Sequence, residues 1–211
     1  LAVREILKYP FVEQVTLVDL DPAITTLFSQ NGFLTQINNH SLQSPKVQIV
    51  NTDAFVWLRK EEQKYDVVII DFPDPSTYSV GKLYTDTFYR MLQNILHDSS
   101  IVVVQSTSPF VAPVSYWCVN TTIRSVGFFT IPYHVFIPSF GDWGYILASQ
   151  QKEMLIHSER VPDSLRFFSA DTFENMKCFP LDMSRSVADV NRLNNQILVQ
   201  HFDREWSEVL H

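Results

Sequence analysis

Short blocks of branched apolar residues alternate along this chain with stretches whose apolar positions recur every three or four residues, the two periods that separate strand from helix. Strands are expected at residues 14–21, 47–51, 65–70, 100–106, 128–137 and 143–149. Helices are expected over residues 1–8, stopped by Pro10; from Pro22 to near Gly32; from Asp53 onward; over 85–97; and over 114–126. In the 85–97 helix, Phe88, Met91, Leu92, Ile95 and Leu96 fall on one face. Residues 71 to about 83 read as an irregular loop.

Strand and helix alternating, with continuous Val/Ile runs, is the pattern of a parallel sheet covered on both faces. The expectation is therefore a doubly wound α/β fold. The PSFGD turn at 138–142 joins the last two strands as a hairpin, placing an antiparallel strand at the sheet edge. After Ser149 the composition turns polar, and two short helices, about 170–177 and 187–208, are expected to pack on the outside. The domain reading is thus 1–150 for the α/β domain and 151–211 for a C-terminal helical extension. The chain opens in mid-helix with no initiator Met, so an upstream segment is expected.

With 211 residues, 45% of them hydrophobic, the chain can bury one substantial core. A net charge of −7 and only 16 Lys+Arg, spread without runs, argue against a nucleic-acid partner. A cationic small molecule suits this field, although acidity also serves plain solubility. Cys118 and Cys178 form no C-x-x-C or His-paired pattern, which suggests neither zinc nor a disulfide framework and points to a reducing cytoplasm. His40, His97, His134, His157, His201 and His211 are too scattered for a metal triad, and no metal is expected. No run approaches the roughly 18 apolar residues of a membrane span, so this chain is expected to be soluble.

The candidate chemistry lies at strand ends. Asp19 and Asp21 end one strand, Asp53 follows the next, Asp71 and Asp74 end the third, and Gln105 ends the fourth. In an open parallel sheet, ligands bind outside these carboxyl ends. Any one such residue can be a helix cap, Asp53 above all. Four successive strands delivering polar residues to one edge point to a site. An acidic residue like Asp19 holds ribose hydroxyls about 20 residues beyond a glycine loop in nucleoside-binding sheets. The five glycines, at 32, 81, 127, 141 and 144, form no such loop, so the first strand and glycine loop are expected upstream of Leu1.

The spaced segments VTLVDLDPAI, VQIVNTDAFVWL, YDVVIIDFPDP, KLYTDTFYRMLQNIL, IVVVQSTSP and IPSFGDWGYILAS resemble the spermidine synthase family of polyamine aminopropyltransferases. More narrowly, the chain is similar to the catalytic domain of bacterial members that carry membrane helices ahead of it, over roughly residues 1–150. The resemblance implies a Rossmann-like, methyltransferase-type fold and decarboxylated S-adenosylmethionine as co-substrate, with methylthioadenosine as product. It further implies a polyamine acceptor such as putrescine, attachment of the full-length protein to the cytoplasmic face of the membrane, and a homo-oligomer. Carried over singly, Asp19 matches the ribose ligand, Asp53 with Ala54 the pair that reads the adenine, Asp71 the proton acceptor and Asp74 the carboxylate that positions the amine. Gln105 matches a strand-end glutamine on the substrate side. The family's GGGDG loop and N-terminal β-structure are absent here, and Phe140 stands where the family has a tyrosine.

Of the residues around this edge, Phe72, Tyr78, Tyr84, Trp143 and Tyr145 could line a slot for a methylene chain and meet ammonium groups, with Tyr78 and Trp143 the candidate substrate contacts. Trp117, Phe128 and Phe129 are assigned to the core. Asp71, at the end of a Val/Ile strand, is expected to gain basicity by desolvation. Three readings stay open: aminopropyl transfer, methyl transfer from intact S-adenosylmethionine on the same fold, and a non-catalytic polyamine- or nucleoside-binding module. The D-x-P-D-P run can also be only a turn with Asx bonding.

Overall fold

The computed structural model describes residues 1–151, 165–185 and 188–209. It divides into two compact units, Leu1–Glu61 and Glu62–His211. The first holds α1 (Ala2–Ile6), β1 (Val15–Asp19), α2 (Pro22–Gln30), α3 (Gly32–Ile37), β2 (Val47–Asn51) and α4 (Ala54–Leu58). β1 and β2 pair in parallel with Asp19 opposite Asn51, so both strands end at one edge. Helix α2 begins where Asp21 accepts the Ala23 N–H at 2.8 Å beside Pro22, a fixed φ at the first helical turn.

Gly32 does not close α2 as its position suggested. Asn31 ends that helix and at once accepts the amides of Phe33 and Leu34, at 3.1 and 3.2 Å, so a second helix starts on the glycine. An Asn cap outweighs the usual stop signal of glycine here.

The second unit holds β3 (Tyr65–Ile70), α5 (Tyr78–Gly81), a 3₁₀ turn (Lys82–Tyr84), α6 (Asp86–Gln93), β4 (Leu96–Gln105), α7 (Pro113–Ser125), β5 (Phe129–Ile137), β6 (Gly141–Ser149), α8 (Ala170–Met176) and α9 (Ile197–Val209). Its sheet has the order β3-β4-β6-β5. β3 and β4 are parallel, with Ile70 opposite Val104; β6 runs antiparallel to both β4 and β5. The hairpin is therefore at the edge as expected, but its antiparallel strand β6 lies inside and β5 forms the rim.

Val102, Val104, Ile146 and Ala148 from the sheet are buried with Tyr89, Leu92, Tyr116, Val119 and Ile123 from α6 and α7. This core uses one face of the sheet. Along β3, Ile70 is buried but Val67 and Ile69 are 59% and 48% exposed, so the apolar run is not covered on both sides within this unit. Trp117 and Phe128 are in the core, whereas Phe129 is 43% exposed; it opens the rim strand, where side chains alternate between faces.

Gly144 sits where β6 passes over Tyr116. A Cβ there would lie 2.6 Å from Tyr116 Cδ2 and 2.8 Å from the Thr107 carbonyl oxygen. The Tyr116 ring cannot retreat easily, because its hydroxyl donates to Tyr145 O at 3.0 Å and Tyr133 O at 3.3 Å. Gly144→Ala is expected to destabilise the fold by about 2–3 kcal/mol through overpacking. Urea unfolding gives the midpoint that checks it.

The tail is woven into the second unit. Buried Asn191 donates Nδ2 to Gly81 O and Tyr84 O, both at 3.1 Å, and its Oδ1 accepts the Leu198 N–H at 3.3 Å. Glu205 on α9 caps α7, accepting the amides of Val114 and Ser115 at 2.7 and 2.9 Å and the Ser115 hydroxyl at 2.6 Å. The second tail helix runs from Ile197, not from about 187. The polar run before it is spent on side-chain bonds to backbone, such as Asn195 Oδ1 accepting the amides of Arg192 and Ile197. Part of the 151–211 stretch, including 152–164 and 186–187, lies outside the described residues.

Candidate active site

In the first unit, the edge where β1 and β2 end carries Asp19, Asn51 and Asp53. Asp19 Oδ1 accepts the Asp21 N–H at 2.8 Å, and its carbonyl receives Thr52 N–H at 3.0 Å and Asn51 Nδ2 at 3.3 Å. Asn51 also exchanges hydrogen bonds with the buried Thr25 hydroxyl of α2. The strand end is thus pinned to the following helix, and the Asp19 carboxylate is held in a tight turn. Asp53 is the N-cap of α4: its Oδ1 accepts the Phe55 N–H at 2.8 Å, and Ala54 is the first helical residue. The capping bond anticipated from sequence is made.

In the second unit, Asp71 directly follows β3, and Gln105 ends β4 one residue beyond Val104, the partner of Ile70. The DFPDP loop that follows is braced from below. Tyr84, 1% exposed, donates its hydroxyl to Pro73 O at 3.1 Å and reaches Phe72 O at 3.3 Å. Burial, with Tyr89, Asp74 and Asp71 nearby, drives the Tyr84 phenol well above its ordinary value, so it stays a donor. The Phe72 ring packs edge-on against Tyr84 and Phe88.

Gln105 joins the loop to the hairpin. With its amide oriented to satisfy both ends, Nε2 donates to Phe72 O at 2.7 Å and the oxygen accepts Trp143 Nε1 at 2.7 Å. The polar atoms of both candidates thus serve the protein itself, and what Trp143 offers a ligand is its ring. That ring lies 5.5 Å from Phe140, which is exposed. Tyr78, at the start of α5, is exposed, while Tyr84 is a buried brace and no part of a slot wall.

The two carboxylates differ in a way opposite to expectation. Asp71 is exposed, and Asp74 is the half-buried one. Burial holds the Asp74 carboxyl above its ordinary value. Gln105 and Thr107 beside it pull the other way. Neither makes a well-formed bond to Asp74 Oδ1, which is buried and without a hydrogen-bond partner among the described residues. Asp71 itself follows Ile70, the last buried residue of β3, and is exposed.

Thr107 and Asn191 have no sequence signal that marks them for this edge, and Tyr84 was expected as a slot wall and not as the brace it is. Tyr84 lies in a segment taken as irregular, and Asn191 in a run of polar residues that looks like surface. Among the described residues, no group of three His, Cys, Asp or Glu is placed to hold a metal ion, and no helix is long and apolar enough to cross a membrane.

Comparison with known proteins adds a family, two relatives and a solved structure. The spermine/spermidine synthase domain family matches residues 1–160. A polyamine aminopropyltransferase of Leptospira interrogans serogroup Icterohaemorrhagiae serovar copenhageni is 51% identical over 210 residues, covering 100% of this chain and 42% of that protein. Polyamine aminopropyltransferase 2 of Ralstonia nicotianae is 49% identical over 210 residues, covering 100% and 41%. This chain thus spans about two fifths of the length of these relatives. A spermidine synthase solved in complex with the transition state analogue AdoDATO superposes with a TM-score of 0.75 at 22% identity, over 84% of this chain and 62% of that one, a likeness of fold.

Proposed function

We infer, from the fact that this chain belongs to the spermine/spermidine synthase family, that it is the catalytic part of a polyamine aminopropyltransferase. The donor is decarboxylated S-adenosylmethionine and the acceptor a polyamine such as putrescine. The observation that carries this reading is the pair of carboxylates on one braced loop, Asp71 open and Asp74 half-buried. A methyltransferase needs no such pair. A diamine needs one group to hold an ammonium and another to take a proton from the attacking nitrogen.

An amine nitrogen attacks the carbon next to the sulfonium; the C–S bond breaks, its electron pair stays on sulfur, and neutral methylthioadenosine leaves. The leaving group requires no acid. The nucleophile is the obstacle, because an alkylamine with a pKa of about 10.4 costs about 4.6 kcal/mol to deprotonate at pH 7. Asp71 is the proton acceptor, and Asp74 anchors the substrate through charge-assisted hydrogen bonds. Trp143 and Tyr78 face the methylene chain and its ammonium groups. Gln105 keeps Phe72 and Trp143 in place and so acts on the substrate at one remove. Asp19 holds the ribose, and Asp53 with Ala54 meets the adenine. The reaction belongs to the cytoplasm, where both substrates are soluble cations.

The test is a transfer assay on the full-length protein with decarboxylated S-adenosylmethionine and a panel of diamines and polyamines. Release of methylthioadenosine dependent on one amine is expected. Nucleoside binding without product would replace this reading by methyl transfer or a binding module.

A further inference from the structure

Three consecutive side chains, Ser106, Thr107 and Ser108, follow β4 and are each 2% exposed. Two of the three hydroxyls are bonded to the chain. Ser106 Oγ donates to Val104 O at 3.1 Å, and Ser108 Oγ accepts the Val111 N–H at 3.3 Å. Thr107 Oγ1 is buried and has no hydrogen-bond partner among the described residues. An unpaired buried hydroxyl costs about 1–3 kcal/mol, so its position calls for a cause.

The backbone of Thr107 sharpens the point. Its φ is +63°, the left-handed region, which a β-branched residue rarely enters and which costs about 1–3 kcal/mol. The segment is fixed there from the hairpin: Gly144 N–H donates to Thr107 O at 2.8 Å, and Ser106 N–H to Gly144 O at 3.0 Å. Glycine or asparagine would take this conformation more easily. A threonine instead puts a hydroxyl beside the Asp74 carboxyl, whose own Oδ1 is the other unpaired buried oxygen of this edge.

A hydroxyl and a carboxyl side by side, each with a buried oxygen that has no hydrogen-bond partner among the described residues, make a receptor for a group with several N–H donors. An alkylammonium has three, in tetrahedral directions, and no acceptor. A guanidinium or amide would bring planar donors, and a bound carboxylate would meet like charge. Resting on the aminopropyltransferase reading for the identity of the amine, we propose that Thr107 Oγ1 and Asp74 Oδ1 together hold one ammonium group of the polyamine. Thr107 is then a substrate-binding residue, which selects a primary ammonium over a bulkier, more substituted one at that end of the acceptor.

The experiment uses the full-length protein and its Thr107→Val, Thr107→Ala and Thr107→Ser variants. Valine keeps the shape and the backbone cost while removing the hydroxyl; alanine serves if valine fails to fold; serine restores the hydroxyl. Putrescine binding in the presence of methylthioadenosine is read by calorimetry, and transfer kinetics are read alongside. Loss of one hydrogen bond to a charged group is expected to weaken putrescine binding about tenfold or more in the valine and alanine variants. The serine variant is expected within about threefold of wild type, and KM for decarboxylated S-adenosylmethionine is expected to stay unchanged in all three. Equal putrescine affinity in wild type and the valine variant overturns the proposal while leaving the aminopropyltransferase reading intact. Binding without transfer in the wild type overturns that reading alone, since the variants still decide the ammonium contact. No putrescine binding by the wild type overturns both.

Discussion

Asp71→Asn is expected to lower aminopropyl transfer by the full-length protein by about 10³-fold at pH 7, within the range that removal of a general base produces. Asparagine keeps the size and hydrogen-bonding reach of the side chain and removes only its ability to take a proton. Because Asp71 is exposed and beyond the buried end of β3, the substitution should leave folding untouched. Methylthioadenosine affinity should be unchanged as well, since Asp71 is assigned to proton transfer and the ribose and adenine contacts to Asp19, Asp53 and Ala54. The pH profile gives the sharper test. Without a base, the variant depends on the small fraction of amine already neutral, about one molecule in 2,500 at pH 7 for a pKa of about 10.4. Its rate should therefore climb about tenfold per pH unit well beyond the point where the wild type levels off. A variant that loses nucleoside binding and transfer together, with no recovery at high pH, would show that Asp71 organises the strand end instead.

The strand pattern was legible in the sequence because each strand is a concentrated apolar block with polar or turn residues on both sides. β2 and β3 fall on the expected residues, and the Val47–Asn51 and Tyr65–Ile70 blocks have no competing helical period. Helix ends were harder. α4 stops after five residues although the sequence continues RKEEQ, good helix formers with no apolar face left to bury. The segment 78–84 looked irregular because its helical turns are too short to show a period, yet it carries Tyr84. Positions of the carboxylates at strand ends could be counted from the sequence; their surroundings could not. Whether Asp71 or Asp74 is desolvated depends on side chains of β4, the loop after it and β6, which are remote in sequence and meet only through register. For the same reason nothing in SVADVNRLNN marks Asn191 as a buried anchor of the helical turns that carry Tyr84. A resemblance between sequences carries residue types across; it carries no environment with them.

Asp74→Asn brings the environment itself under test, because its effects on function and on stability should have opposite signs. The Asp74 carboxyl is raised in the folded chain, chiefly by burial, so its proton is bound more tightly folded than unfolded. Stability from such a group is fully present below the unfolded value, about pH 3.9, and is lost as pH rises through the folded value. At neutral pH the wild type therefore keeps a half-buried charge with an unpaired oxygen, Oδ1, at a cost to folding. The neutral amide of Asn escapes the charge penalty. The variant is expected to melt above the wild type at pH 7, with the difference shrinking as pH falls and gone below about pH 3.5. Putrescine binding should meanwhile weaken about 10- to 100-fold, the cost of losing a charged partner to an ammonium. Thermal unfolding at pH 7 and in acid, together with calorimetry at pH 7, reads both effects. A variant less stable than wild type at pH 7 would mean that the carboxylate is already satisfied within the fold, and the claim that it is held ready for a cation would fall with it. Higher stability with weaker amine binding would mark Asp74 as a residue kept for its ligand, because a charge that the folded chain would shed is one that only a bound cation offsets.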